Sequence, residues 1–196
     1  MAQQIILASS SVTRKALMDR LNLNYLTISP DIDECAQAGE TAQQLAYRLS
    51  IEKASVIATQ YPDAIVISSD QVAWLAESPT ELIGKPYTEQ AAIQQLQRQS
   101  GKVLNFSTGV SVQCLAKNYR QTSVIPFQVK FRRLSNHEIQ RYIQFDQPLH
   151  CAGSFKCESL GMTLFESMYG DDYTALMGLP LIQLCQYLRE LEVPLP

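Results

Sequence analysis

Gln4-Ile5-Ile6-Leu7-Ala8-Ser9-Ser10-Ser11-Val12-Thr13-Arg14 is the stretch on which the fold of this chain turns. Its apolar half, Gln4 to Ala8, predicts a buried strand. The three serines break that strand, and Ser11 is placed to cap a helix running to about Leu21, with Leu17 and Leu21 on one face. A helix start leaves backbone N–H groups unpaired and carries partial positive charge, so phosphate binds well there. The hydroxyls of Ser9, Ser10 and Ser11 add donors, and Arg14 adds a planar cation suited to phosphate oxygens. The segment is not a P-loop, because the GxxxxGK[ST] pattern is missing.

Outward from this segment, short apolar runs alternate with amphipathic stretches, which predicts an α/β fold. Leu23 to Ser29 reads as a second strand, and the loop after it carries Asp31, Asp33 and Glu34. Thr41 and Gln44 form a capping-box pattern ahead of a helix whose apolar side is marked by Leu45 and Leu49. Lys53 falls near the edge of that stripe, where a lysine ordinarily lays its stem on the core and its amine in water. Ala64 to Ser68 reads as a strand that ends on Ser69, Asp70 and Gln71, the end at which open α/β sheets place ligand chemistry. Ile83-Gly84-Lys85-Pro86 reads as a loop, and Thr88 to Gln99 as a helix. Two strands follow, Phe106 to Leu115 and Val124 to Leu134. Ser135 and Glu138 start another capped helix, and a last one begins near Pro180.

The bulk properties narrow the class. The chain has 196 residues, 46% apolar and 18% charged, which fits a single domain spanning residues 1–196 with a sizeable core. A net charge of −3 makes long nucleic acid a poor partner, while a small anionic ligand needs only a few cations in one place. The five cysteines form no CxxC pair, and with two histidines they argue against a disulfide framework or a zinc site. No signal-like N-terminus and no apolar run of membrane-spanning length is seen, so no membrane partner and a cytoplasmic location are expected. Set beside the serine turn, Lys53, Lys85, Glu34 and Asp70 complete a group suited to a metal–triphosphate. The cations offset polyphosphate charge, and the carboxylates suit Mg²⁺ or Mn²⁺. A carboxylate there can also take a proton from water.

These residues resemble the Maf family of nucleoside triphosphate pyrophosphatases across nearly the whole chain. The resemblance is carried by Ile6 to Ser11 with Arg14, Asp33-Glu34, Glu52-Lys53-Ala54, Ser69-Asp70-Gln71 and Gly84-Lys85-Pro86, then by Phe106 to Gly109 and Ala152-Gly153. Ser69 to Val72, His150 to Lys156, Glu158 and Gly178 to Leu181 bring it nearest the branch that acts on 7-methyl-GTP. The resemblance implies a long twisted mixed sheet flanked by helices, two lobes around a central cleft, and a homodimer. It implies Asp70 as proton acceptor and metal ligand with Glu34, and Ser9, Arg14, Lys53 and Lys85 as triphosphate-binding residues. Thr13, Gln71 and Glu158 match positions that set base preference. Members usually carry a proline and a large residue before the arginine matched by Arg14, where this chain has Val12 and Thr13. The N–H donors on guanine's pairing edge suit a carboxylate such as Glu158, and the charge on N7-methylguanine suits an aromatic face. Phe155 and Trp74 are aromatic residues that can be weighed for that face, against an ordinary role in the core. Two other readings stay open: a pyrophosphatase that clears another non-standard triphosphate, and a non-catalytic nucleotide-binding regulator of cell division.

Overall fold

The computed structural model describes residues 3–195 and is a mixed α/β structure. Strand β1 (Ile5–Leu7) is followed by helix α1 (Val12–Asp19) and a two-residue strand β2 (Leu26–Thr27). Next come α2 (Ala42–Gln60), β3 (Ile65–Leu75), β4 (Leu82–Ile83) and α3 (Glu89–Gln99). The long strands β5 (Val103–Cys114) and β6 (Tyr119–Phe131) precede α4 (Asn136–Asp146). β7 (Phe165–Tyr169), the one-turn α5 (Tyr173–Leu176) and α6 (Leu181–Glu190) complete the chain.

The seven strands form one sheet in the order β2-β1-β3-β5-β6-β7, with β4 on β3. β1 pairs parallel with both β2 and β3, while β4 pairs antiparallel with β3 and β7 with β6, so the sheet is mixed. Among the described residues no helix is long and apolar enough to cross a membrane.

The chain divides into two compact units. The first comprises residues 1–71, 108–125 and 172–196, and the second residues 72–107 and 126–171. In the first, Ile6, Ala8 and Val66 of the sheet pack on Ala54, Ile57 and Ala58 of α2. A Cβ on Gly109 of β5 would overlap the Ala46 carbonyl of α2, so glycine is what lets helix and strand approach this closely. In the second, Phe131, Phe155 and Phe165 pack edge to face with ring centroids 4.9 to 5.8 Å apart.

Two strand expectations need correction. β3 does not end at Ser68 but runs on to Leu75, so Asp70 sits in mid-strand. The second strand shrinks from Leu23–Ser29 to Leu26–Thr27. The helix caps stand as expected. Ser11 accepts the N–H of Arg14, and full capping boxes form at Thr41 with Gln44 and at Ser135 with Glu138.

Candidate active site

The first unit gathers most of the expected residues around β3. Successive side chains of a strand point to opposite faces. Ser68 and Asp70 therefore face α2, where the Ser68 hydroxyl donates to the Ser50 carbonyl and Asp70 meets Lys53. Ser69 and Gln71 face the other way, toward residues 175–178.

Lys53 is the centre of the arrangement. It follows Leu45 and Leu49 at four-residue intervals on the buried face of α2 and is itself only 5% exposed. A buried ammonium must be paired. Its Nζ donates to Asp70 Oδ1 at 2.6 Å and lies 2.9 Å from Glu34 Oε1. The ordinary reading of a lysine that lifts its amine into water does not hold here. Two carboxylates from distant parts of the sequence take the amine instead.

Glu34 reaches Lys53 from an exposed loop that is tied down beside it. Arg48 of α2 donates to the Cys35 carbonyl at 2.9 Å, and its Nε pairs with Glu40 at 2.7 Å. The hydrogen bond to Glu40 leads the causes that push the Arg48 pKa above its ordinary value. Sequence reading passed over Arg48 because nothing local distinguishes it from any surface arginine on a helix.

The serine turn and Arg14 form the other part of this half-site. Ser9 is buried, and its Oγ accepts from the Ser11 N–H at 3.2 Å and from Arg14 Nη1 at 3.5 Å. Ser9 and Ser11 oxygens thus serve the turn, and what each hydroxyl can offer an anion is its hydrogen. Arg14 Nε donates to the Gly178 carbonyl at 2.8 Å. Burial pushes the guanidinium pKa below its ordinary value, and the charges of Asp70 and Glu34 oppose that shift. The Gly178 carbonyl also accepts from the Ser69 hydroxyl at 2.8 Å. Ser69 and Gly178 belong to quoted motifs, but their part in seating Arg14 depends on a contact 109 residues apart in sequence.

The residues expected to set base preference fall in three places. Thr13 lies half-buried on the first turn of α1. Gln71 Nε2 donates to the carbonyls of Ala175 and Leu176 at 2.8 and 3.0 Å, so its nitrogen is committed to the segment leading to Gly178. Glu158 belongs to the second unit and is exposed. Its neighbours are clamped onto α4. Lys156 Nζ donates to the Asp146 carbonyl at 2.5 Å, and the Ser159 hydroxyl donates to Asp146 Oδ1 at 2.6 Å.

Lys85 also belongs to the second unit, exposed on the loop after β4. Lys85 and Glu158 share a neighbour, since the charges of both act on the Cys151 thiol, whose pKa is raised chiefly by burial. Phe155, weighed above as an aromatic face, is buried against Phe106, Phe131 and Phe165.

Asp70 and Glu34 both reach the same ammonium, so their oxygens converge on one point. Among the described residues no group of three or more His, Cys, Asp or Glu side chains is arranged to hold a metal ion. The point on which Asp70 and Glu34 converge is taken by the Lys53 ammonium, so a hard cation would have to use the other carboxylate oxygens and draw the rest of its ligands from phosphate and water, as Mg²⁺ commonly does.

Fold and half-site together define an α/β protein with a serine-capped helix start carrying Arg14 and a buried lysine paired with two carboxylates. The chain belongs to the Maf-like protein family, which matches residues 4–191. It is 59% identical over 192 residues to the nucleoside triphosphate pyrophosphatase of Acinetobacter baylyi, covering 98% of this chain and 97% of that protein. It is 48% identical over 192 residues to the 7-methyl-GTP pyrophosphatase of Pseudomonas aeruginosa, covering 98% of each. Among solved structures, the Staphylococcus aureus Ham1 protein superimposes with a TM-score of 0.52 at 16% identity, covering 97% of this chain and 100% of that one. At that identity the likeness concerns the fold.

Proposed function

We propose that this chain hydrolyses 7-methyl-GTP to 7-methyl-GMP and diphosphate. The broader part of that reading, a nucleoside triphosphate pyrophosphatase, rests on membership of the Maf-like family and on two full-length relatives that carry pyrophosphatase names. The observation that carries it in the structure is Lys53, buried and held between Asp70 and Glu34. An ammonium and two carboxylates in one place provide charge for a phosphate and an acceptor for a proton.

Each residue then has a role. Ser9 and Arg14 receive phosphate oxygens at the α1 start. Lys53 and Lys85 offset the charge of the triphosphate. Asp70 takes the proton of the water that attacks the α-phosphorus, the bond to the β-phosphate breaks, and diphosphate leaves. Asp70 and Glu34 would hold a divalent cation, Mg²⁺ or Mn²⁺, which when bound neutralises phosphate charge and polarises the reacting phosphoryl group.

The choice of 7-methyl-GTP draws support from the name of the Pseudomonas aeruginosa relative and from Glu158. A carboxylate accepts the N–H donors of guanine's pairing edge and favours the positive charge that methylation at N7 places on the base. Thr13 and Gln71 are assigned to the same discrimination.

Two measurements test the proposal. Asp70→Asn should lower diphosphate release by about 10²- to 10⁴-fold, the contribution typical of a general base. Undiminished release in that variant sinks the role of Asp70. A panel of triphosphates should give the highest kcat/KM with 7-methyl-GTP. A preference for another non-standard triphosphate would refute the base assignment, and tight binding without diphosphate release would refute catalysis altogether.

A further inference from the structure

Recognition of N7-methylguanine calls for something beyond a carboxylate. The base is a planar cation, and an aromatic face attracts such a cation. With its ring packed among three other phenylalanines, Phe155 has no face to give. The second unit presents another ring beside Lys85.

Tyr87 lies two residues after Lys85 and is 64% exposed. Its backbone is left-handed, with φ +59. Bulky side chains rarely adopt that conformation, and a turn needing it only for shape is better served by glycine or asparagine. The Tyr87 N–H donates to the Leu149 carbonyl at 2.9 Å, and the ring sits edge-on to His150, with centroids 6.0 Å apart and planes at 68°. Strain of this kind persists where the surroundings over-determine it, and it gathers at ligand sites. Here it stands a large aromatic ring out toward solvent.

His150 ties this ring to the other expected specificity residue. Cys151, the next residue along, feels the charges of both Lys85 and Glu158. Tyr87 thus stands against His150 and two residues from Lys85, in the same unit as Glu158.

We infer that Tyr87, steadied by His150, is the aromatic platform for the methylated base: its exposed ring takes the face of the cationic purine while Lys85 holds phosphate and Glu158 the pairing edge. This rests on the substrate reading above. It adds an aromatic face that responds to the charge on the base alongside the carboxylate of Glu158.

The test compares Tyr87→Gly and Tyr87→Phe with the wild type, using 7-methyl-GTP and GTP in steady-state diphosphate release, with thermal melting alongside. Glycine accepts φ +59 freely, so Tyr87→Gly should melt no lower than the wild type. Its KM for 7-methyl-GTP should rise about three- to tenfold, as expected for loss of a cation–π contact. The rise for GTP, whose base is uncharged, should be smaller, and kcat should change little. Tyr87→Phe keeps the face and should restore the wild-type KM ratio. Equal effects on the two nucleotides, or none, overturn the platform while leaving the substrate reading intact. A wild type that does not prefer 7-methyl-GTP overturns the substrate reading and the platform with it.

Discussion

The two units hold their expected triphosphate-binding lysines in opposite ways. Lys53, in the first, is buried and already paired with Asp70 and Glu34. Lys85, in the second, stands exposed on a loop. The contrast follows from solvation. A charge removed from water must have its partner built into the fold, whereas an exposed one is solvated until a ligand arrives. Lys53 therefore carries its charge as part of the first unit's stability, and Lys85 presents its own at little structural cost.

Replacing each lysine is the strongest way to break this contrast. Lys53→Ala should destabilise the protein by about 3 kcal/mol, because Asp70 is left as a buried carboxylate without its cation. Lys85→Ala should change stability by less than about 0.5 kcal/mol while raising KM for the triphosphate. Chemical denaturation and steady-state kinetics on both variants read the two effects. Unchanged stability in Lys53→Ala would show that the buried pairing contributes nothing to the fold.

A smaller effect is expected at Ser69. Ser69→Ala removes the hydroxyl that lies between the Gly109 and Gly178 carbonyls, the second of which also seats Arg14. The loss should be about 1 kcal/mol of stability, since backbone acceptors remain partnered. The added signature is a raised KM for triphosphate with little change in kcat, as expected if Arg14 binds phosphate. A changed melting temperature with unchanged KM would make the contact purely structural.

The mildest test uses pH and the two capping boxes. The first unit's box is closed by Gln44, which does not titrate, and the second unit's by Glu138. The Ser135 backbone N–H, then its hydroxyl, then Arg132 hold the Glu138 carboxyl down at about 2, from an ordinary value of 4.5. A folded pKa below the unfolded one gives stability that is present above about pH 4.5 and is lost as pH falls toward 2. Amide exchange should show the start of α4 loosening in that window while the start of α2 does not respond. In Glu138→Gln the difference between the two helix starts should vanish.

The helix starts were legible because capping is local: Ser11, Thr41 and Ser135 find their partners within three residues. The length of β3 was not. Ser69, Asp70 and Gln71 look like the polar end of a strand, yet the strand passes through them because each side chain meets a partner on its own face. Polar residues signal a turn only when nothing else in the fold satisfies them.

Sequence alone thus determined the family, the α/β pattern, the helix caps and the residue types suited to phosphate and metal, all of which depend on composition and near-neighbour spacing. Only the tertiary structure decided that Lys53 is buried between Glu34 and Asp70, that Arg14 is seated on the Gly178 carbonyl, and that Phe155 is core while Tyr87 is exposed. The reason is that burial and long-range pairing are properties of how distant segments meet. A lysine on a helix stripe has the same local sequence whether its amine ends in water or on a carboxylate 17 residues away.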